Sequence, residues 1–138
     1  MTPRNDQDIF DAVVRHFAAQ RVPALEPRGP FDNMCCYRTK TGLKCAIGAL
    51  IPDKLYARRI EGMTISGLLN NFPAMCNEAG LYNCRMDLLS SLQRAHDDFH
   101  GYSGAPFLPY IWEALRKVAK THKLDVSVLE ENAVSIPL

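Results

Sequence analysis

Two amphipathic stretches separated by one glycine-bearing segment do most to limit what this chain can become. Between Arg85 and Phe99, Leu88, Leu92, Ala95 and Phe99 fall on one helical stripe, with Leu89 and His96 beside it. Between about Phe107 and Lys123, Ile111, Leu115, Val118 and His122 form another. Gly101-Tyr102-Ser103-Gly104-Ala105-Pro106 joins them, and its two glycines permit a sharp reversal. The last two helices are therefore expected to be an antiparallel pair, each burying one face.

The remainder of the 138 residues has to cover that pair. Asp6 or Asp8 can cap a first helix that buries Ile9, Phe10, Val13, Val14 and Phe17 and stops near Arg21, ahead of a connector holding Pro23, Pro27, Gly29 and Pro30. Met34–Arg38 and Leu43–Ala46 flank Thr39-Lys40-Thr41-Gly42, which reads as a β-hairpin over about 34–46 with Arg38 opposite Leu43 and Cys36 opposite Cys45. Ala46–Ile51 is expected as a short helix, Tyr56–Glu61 as a helical turn closed by Gly62, and Thr64 as the cap of a helix ended by Pro73, before a loop over Asn77–Asn83. The tail from Val126 suits either a strand beside the hairpin or a segment lying over the helices. The expected fold is α+β and mainly helical, one domain over 1–138, with the hairpin packed on four to five helices.

Bulk properties narrow the function classes. Apolar residues make up 47% and charged residues 22%, the balance of a globular protein. Sixteen basic side chains face fifteen acidic ones, so no global field draws the chain to nucleic acid or an anionic membrane. The polar start MTPRNDQDIF has no apolar export core, and no apolar run approaches the roughly 20 residues that span a bilayer, so a cytoplasmic protein with no membrane partner is expected. Five unevenly spaced cysteines are a poor disulfide framework, and reduced thiols are expected.

Three chemistries are open to Cys35, Cys36, Cys45, Cys76, Cys84, His96 and His100. A structural zinc site needs four ligands, usually from two close pairs. The only adjacent cysteines, Cys35 and Cys36, diverge, and His96 with His100 supplies just two ligands, so no metal or cofactor is expected. Cys45 stands where a strand meets a helix, a place that can depress a thiol pKa; with His96 as base and Asp97 as orienting carboxylate it would make a thiol-dependent hydrolase or transferase. Asp97 should point about 100° from His96 around the helix, which weakens that triad. The plainer reading makes these thiols compact core residues.

Aromatic residues point elsewhere. Phe99, Tyr102, Phe107, Tyr110 and Trp112 crowd one inter-helix connection, and helical spacing cannot place all five in a small core. With Arg116 and Lys120 on the basic end of the last helix, Tyr102, Phe107, Tyr110 and Trp112 form the expected protein-binding surface. Lysines at a helix C-terminus are favoured by the helix dipole alone and argue little for nucleic acid.

The pattern C-Y-R-x₃-G-x-K-C-A-I-G-A-L-I-P-D over residues 36–53, followed by Tyr56, Glu61-Gly62 and Leu92-Gln93-x-x-His96-Asp97, resembles an uncharacterised family of small proteins encoded by bacteriophages and prophages. The resemblance covers about residues 35–120 and carries no catalytic assignment. It implies a small accessory protein that works by binding a host or phage protein, with inhibition of a host defence or restriction system as the specific role it suggests.

Overall fold

The computed structural model describes residues 5–29, 32–81, 85–99 and 106–134. It is mainly helical: α1 (Asp6–Gln20), α2 (Ala46–Leu50), α3 (Ile65–Asn71), α4 (Pro73–Glu78), α5 (Met86–Asp97), α6 (Phe107–His122) and α7 (Ser127–Val134). A 3₁₀ turn at Arg58–Ile60 matches the turn expected there, and Gly62 follows at φ +84°, a backbone angle that suits glycine.

α1 buries the five apolar residues its periodicity selects, each fully inaccessible to solvent. Its cap is Asn5 rather than Asp6 or Asp8. The Asn5 side chain accepts from the Asp8 amide at 2.7 Å while the Asp8 carboxylate accepts from the Asn5 amide at 3.4 Å. α1 packs against α2, α5, α6 and α7, and α5 packs against α1, α2, α3 and α6. Together α1 and α5 form the centre of the core. Burying a phenylalanine such as Phe10 or Phe17 there contributes about 2 kcal/mol each.

α5 and α6 run antiparallel, as expected. The ring of Phe107 at the start of α6 lies 5.1 Å from Phe99 just past the end of α5, and His122 at the far end of α6 bonds back to Ser91 Oγ at 3.1 Å. The connection expected to make the reversal, 100–105, lies outside the described residues.

The hairpin expected over 34–46 is not present. Strand pairing among the described residues lies earlier, where β1 (Leu25–Gly29) runs antiparallel to β2 (Asp32–Cys35), in a stretch whose prolines suggested only a connector. Between Arg38 and Lys44 there remains a single antiparallel bridge closed by a Thr39–Gly42 turn, with Gly42 at φ +94°. That bridge sets Arg38 against Lys44, one residue away from the expected register, so Cys36 does not face Cys45. α1 imposes this register from outside. Gln20 brackets the Lys44 backbone, accepting from its amide at 2.8 Å and donating to its carbonyl at 2.9 Å, and His16 Nε2 lies 2.8 Å from the same carbonyl.

Two further differences follow from helix starts. Pro73 ends α3 but begins α4 at a position where its missing amide costs nothing, so the chain stays helical to Glu78. The tail is α7, packed on α1 and α6, and not a strand. Seven helices among the described residues thus replace the four to five expected.

Candidate functional site

The segment that opens α2 is held by backbone contacts too close to admit a side chain. A Cβ on Gly48 would sit 1.9 Å from the Tyr37 carbonyl oxygen, the same oxygen that accepts from the Cys45 amide at 3.1 Å. Cys45 caps α2, with Sγ accepting from the Gly48 amide at 3.3 Å. It is wholly buried, and burial pushes its thiol up to about 12. A five-residue helix beside it does not offset that desolvation, so Cys45 is neither exposed nor ionised near neutrality.

His96 is fully buried, its ring stacked on Phe17 at 5.8 Å and edge-on to Phe107 at 6.2 Å. Nε2 accepts from the Ala24 amide at 2.9 Å. The proton therefore resides on Nδ1, which donates to Asp97 Oδ1 at 2.9 Å. Asp97 reaches His96 despite the angle expected between them, because α5 ends at Asp97 and its side chain folds back along the last turn. The same Oδ1 accepts from Gln93 Nε2 at 2.9 Å, and Gln93 Oε1 accepts from the Ile47 amide at 3.2 Å. One chain of hydrogen bonds so ties Ala24, the residue before β1, to the end of α5 and the start of α2. In a catalytic triad Nε2 would face the nucleophile; here it faces a main-chain amide.

A ligand atom each from Cys35, His96 and Asp97 lies within 4.8 Å of the others. This donor set does not fit a metal ion. Metal bound at Nδ1 would leave Nε2 carrying either the proton, opposed to the Ala24 N–H, or a second negative site in the core. Cys35 is half-buried, its Sγ lies 3.7 Å from the Asp97 carbonyl, and its thiol is raised to about 12 by burial first and by the Asp97 charge second. Cys36, also buried, is raised to about 11, and Cys76 is raised by burial. Neither joins the cluster, and Cys84 and His100 lie outside the described residues.

Glu61 forms a second clamp. Its Oε1 accepts from the Tyr37 amide at 2.8 Å, and its Oε2 accepts from the Arg38 amide at 2.9 Å and from the Tyr56 hydroxyl. Arg38 lies over the Tyr56 ring at 4.9 Å, donates to the Ile51 carbonyl and pairs with Asp53 at 2.7 Å. Tyr37, Arg38, Gly48, Asp53, Tyr56, Glu61, Gln93, His96 and Asp97 belong to the pattern quoted above, and each has a scaffolding contact.

The expected aromatic surface is largely internal. Phe99, Phe107 and Trp112 are buried, and Phe107 sits among Phe17, His96 and Phe99. Tyr110 is half-buried against Phe99 at 5.2 Å, and Tyr102 lies outside the described residues. Arg116 and Lys120 are exposed, Arg116 within 3.7 Å of Glu130. Fully helical stacking of α5 on α6 admits more rings than the sequence argument allowed, because Phe99 and Phe107 meet edge to face at the helix ends.

Two concave features among the described residues border α5. A pocket of about 350 Å³ is bounded by Ser90, Gln93, Arg94 and Asp97 of α5, by the 62–65 approach to α3, and by Cys35 and Tyr37. A groove of about 510 Å³ runs between α5 and α6. Ala95, Ala114 and Val118 contribute its apolar lining, Tyr110 lies at one end, and Arg94, Asp98, Glu113 and Lys117 are its charged residues. Gln93 and Arg94 carried no role in the sequence reading, although the L-Q-x-x-H-D fragment held the first of them. No helix among the described residues is long and apolar enough to cross a membrane. No protein-family model, curated protein or solved structure matches the chain.

Proposed function

We propose that this chain is a small accessory protein of the phage type that acts by binding another protein, and that it receives an amphipathic helix of that partner in the groove between α5 and α6. The observation that supports the reading is the groove's make-up: small apolar side chains, Ala95 and Ala114, let a backbone approach, while Arg94 and Asp98 on α5 and Glu113 and Lys117 on α6 present both signs of charge. Tyr110 is retained from the surface expected on sequence grounds; Phe107 and Trp112 are replaced by groove residues. The resemblance to phage and prophage proteins makes a host protein the partner, with a component of a defence or restriction system as the specific suggestion.

A thiol-dependent hydrolase or transferase is the weaker reading, because Cys45 is sealed in the core and both ring nitrogens of His96 are engaged. The test is photo-crosslinking in a bacterial lysate from a probe at position 117, with a probe at Lys54, exposed and not part of the groove lining, as control. A partner crosslinked from 117 and not from 54, and lost on Ala114→Arg, supports the reading. A partner retained undiminished by Ala114→Arg, or no crosslink from 117, overturns it.

A further inference from the structure

The pocket on the adjoining flank of α5 has a composition that the docking groove does not explain. Most of its polar groups are already engaged. Thr64 Oγ1 accepts from the Gly67 amide at 3.0 Å, the Tyr37 hydroxyl donates to the Met63 carbonyl at 2.6 Å, and Gln93 bridges Ile47 and Asp97. Two opposite charges keep unused hydrogen-bonding capacity. Asp97 uses Oδ1 for both His96 and Gln93, and its carboxylate also draws the Cys35 thiol, which still leaves acceptor capacity on a group with about four lone-pair sites. Arg94 is exposed, and its guanidinium has no hydrogen bond or ion pair to any described residue.

Asp97 and Arg94 are three positions apart on α5, so they are neighbours on one helix face, yet they are not paired with each other. The carboxylate is also pre-oriented, since two N–H donors hold Oδ1. A ligand that satisfies both must carry a cationic N–H donor and an anionic acceptor a few bonds apart. Met63 and Ile65 supply an apolar wall, and Ser90 a hydroxyl.

We propose that this pocket binds a free α-amino acid, with its ammonium on the Asp97 carboxylate and its carboxylate on the Arg94 guanidinium, an arrangement suited to the fork of arginine donors. The side chain of the ligand lies against Met63 and Ile65, which favours a small or medium apolar residue. This site does not depend on the docking groove, although Arg94 borders both.

The experiment is saturation-transfer NMR followed by calorimetry, with the standard free L-amino acids as probes and their N-acetyl amides as controls. Expected is saturable binding of at least one apolar amino acid, absent for its N-acetyl amide and weakened tenfold or more by Arg94→Gln. Asp97→Asn should abolish it; because Asp97 also supports His96, the exposed Arg94→Gln change carries the test if Asp97→Asn does not fold. Ala114→Arg, which blocks the docking groove, should leave amino-acid affinity unchanged. No binding by any free amino acid, equal binding of the blocked amide, or affinity unmoved by Arg94→Gln would overturn the proposal.

Discussion

The main-chain amide of Ala24 donates to Nε2 of His96 at 2.9 Å, across 72 positions of sequence. That bond removes the imidazole lone pair from chemistry and selects the Nδ1–H tautomer, which in turn orients Asp97. The Ala24 carbonyl accepts from the Cys36 amide at 3.0 Å, so one residue ties His96 to the cysteine-bearing segment.

His96→Ala should cost about 3 kcal/mol or more, through the lost ring packing and a buried amide left without an acceptor. His96→Phe keeps the ring and should cost less, about 1–3 kcal/mol. Urea denaturation measures both. Nitrogen-15 NMR should show the proton on Nδ1, and added zinc should change neither that spectrum nor the Tm; a zinc-dependent rise in Tm would contradict the argument against a metal.

Alkaline pH should destabilise the protein. Cys45 and Cys35 stand near 12 and Cys36 near 11 in the folded state, against an ordinary value of 9.0. Below pH 9 the thiols are protonated in both states and their contribution is intact. Above it the unfolded chain releases protons that the folded chain keeps, so stability falls with a slope of up to about 1.4 kcal/mol per pH unit per thiol. Cys45→Ser, which preserves a capping acceptor, should make the slope shallower. Iodoacetamide should label Cys45 only after unfolding.

Gly48→Ala should be the most damaging small substitution. Its Cβ would lie 1.9 Å from a main-chain oxygen that is itself bonded to Cys45. A loss of about 4 kcal/mol or failure to fold is expected. At Gly42 an added Cβ meets nothing within 4 Å, so Gly42→Ala costs only the strain of φ +94°, about 1–2 kcal/mol. Circular-dichroism melts would rank the two; the reverse order would refute the steric account.

Glu61→Ala should cost about 3 kcal/mol or more, since it strips the acceptor from two amides and the Tyr56 hydroxyl together. Tyr56→Phe removes one bond and should cost about 1 kcal/mol. In the double variant the tyrosine change should add little, a non-additivity that chemical denaturation resolves.

Trp112 is the only tryptophan and is buried. Its emission should be blue-shifted and insensitive to iodide until the protein unfolds. Ready quenching in the native state would restore the outer aromatic face inferred from the sequence.

Helices α1, α5 and α6 were legible within a few residues, because a 3.6-residue apolar period is a local property that packing then uses. The short helix after Cys45, the turn before Gly62 and the Thr64 cap were legible for the same reason, each resting on neighbours within one turn. The strand register was not. Choosing between Arg38 opposite Leu43 and Arg38 opposite Lys44 depends on Gln20 and His16, which lie on another helix. The candidate triad failed similarly: Cys45, His96 and Asp97 were chosen for residue type, whereas the use of each side chain depends on which distant amide reaches it.

What the sequence determined by itself is therefore the helical framework and the burial of its apolar stripes, since periodicity, caps and glycine positions act over a few residues. Only the tertiary structure decided that Cys45 and His96 are scaffolding and that Asp97 and Arg94 line an open pocket. Protonation, tautomer and accessibility depend on long-range contacts, and those exist only once α1, α2 and α5 have packed.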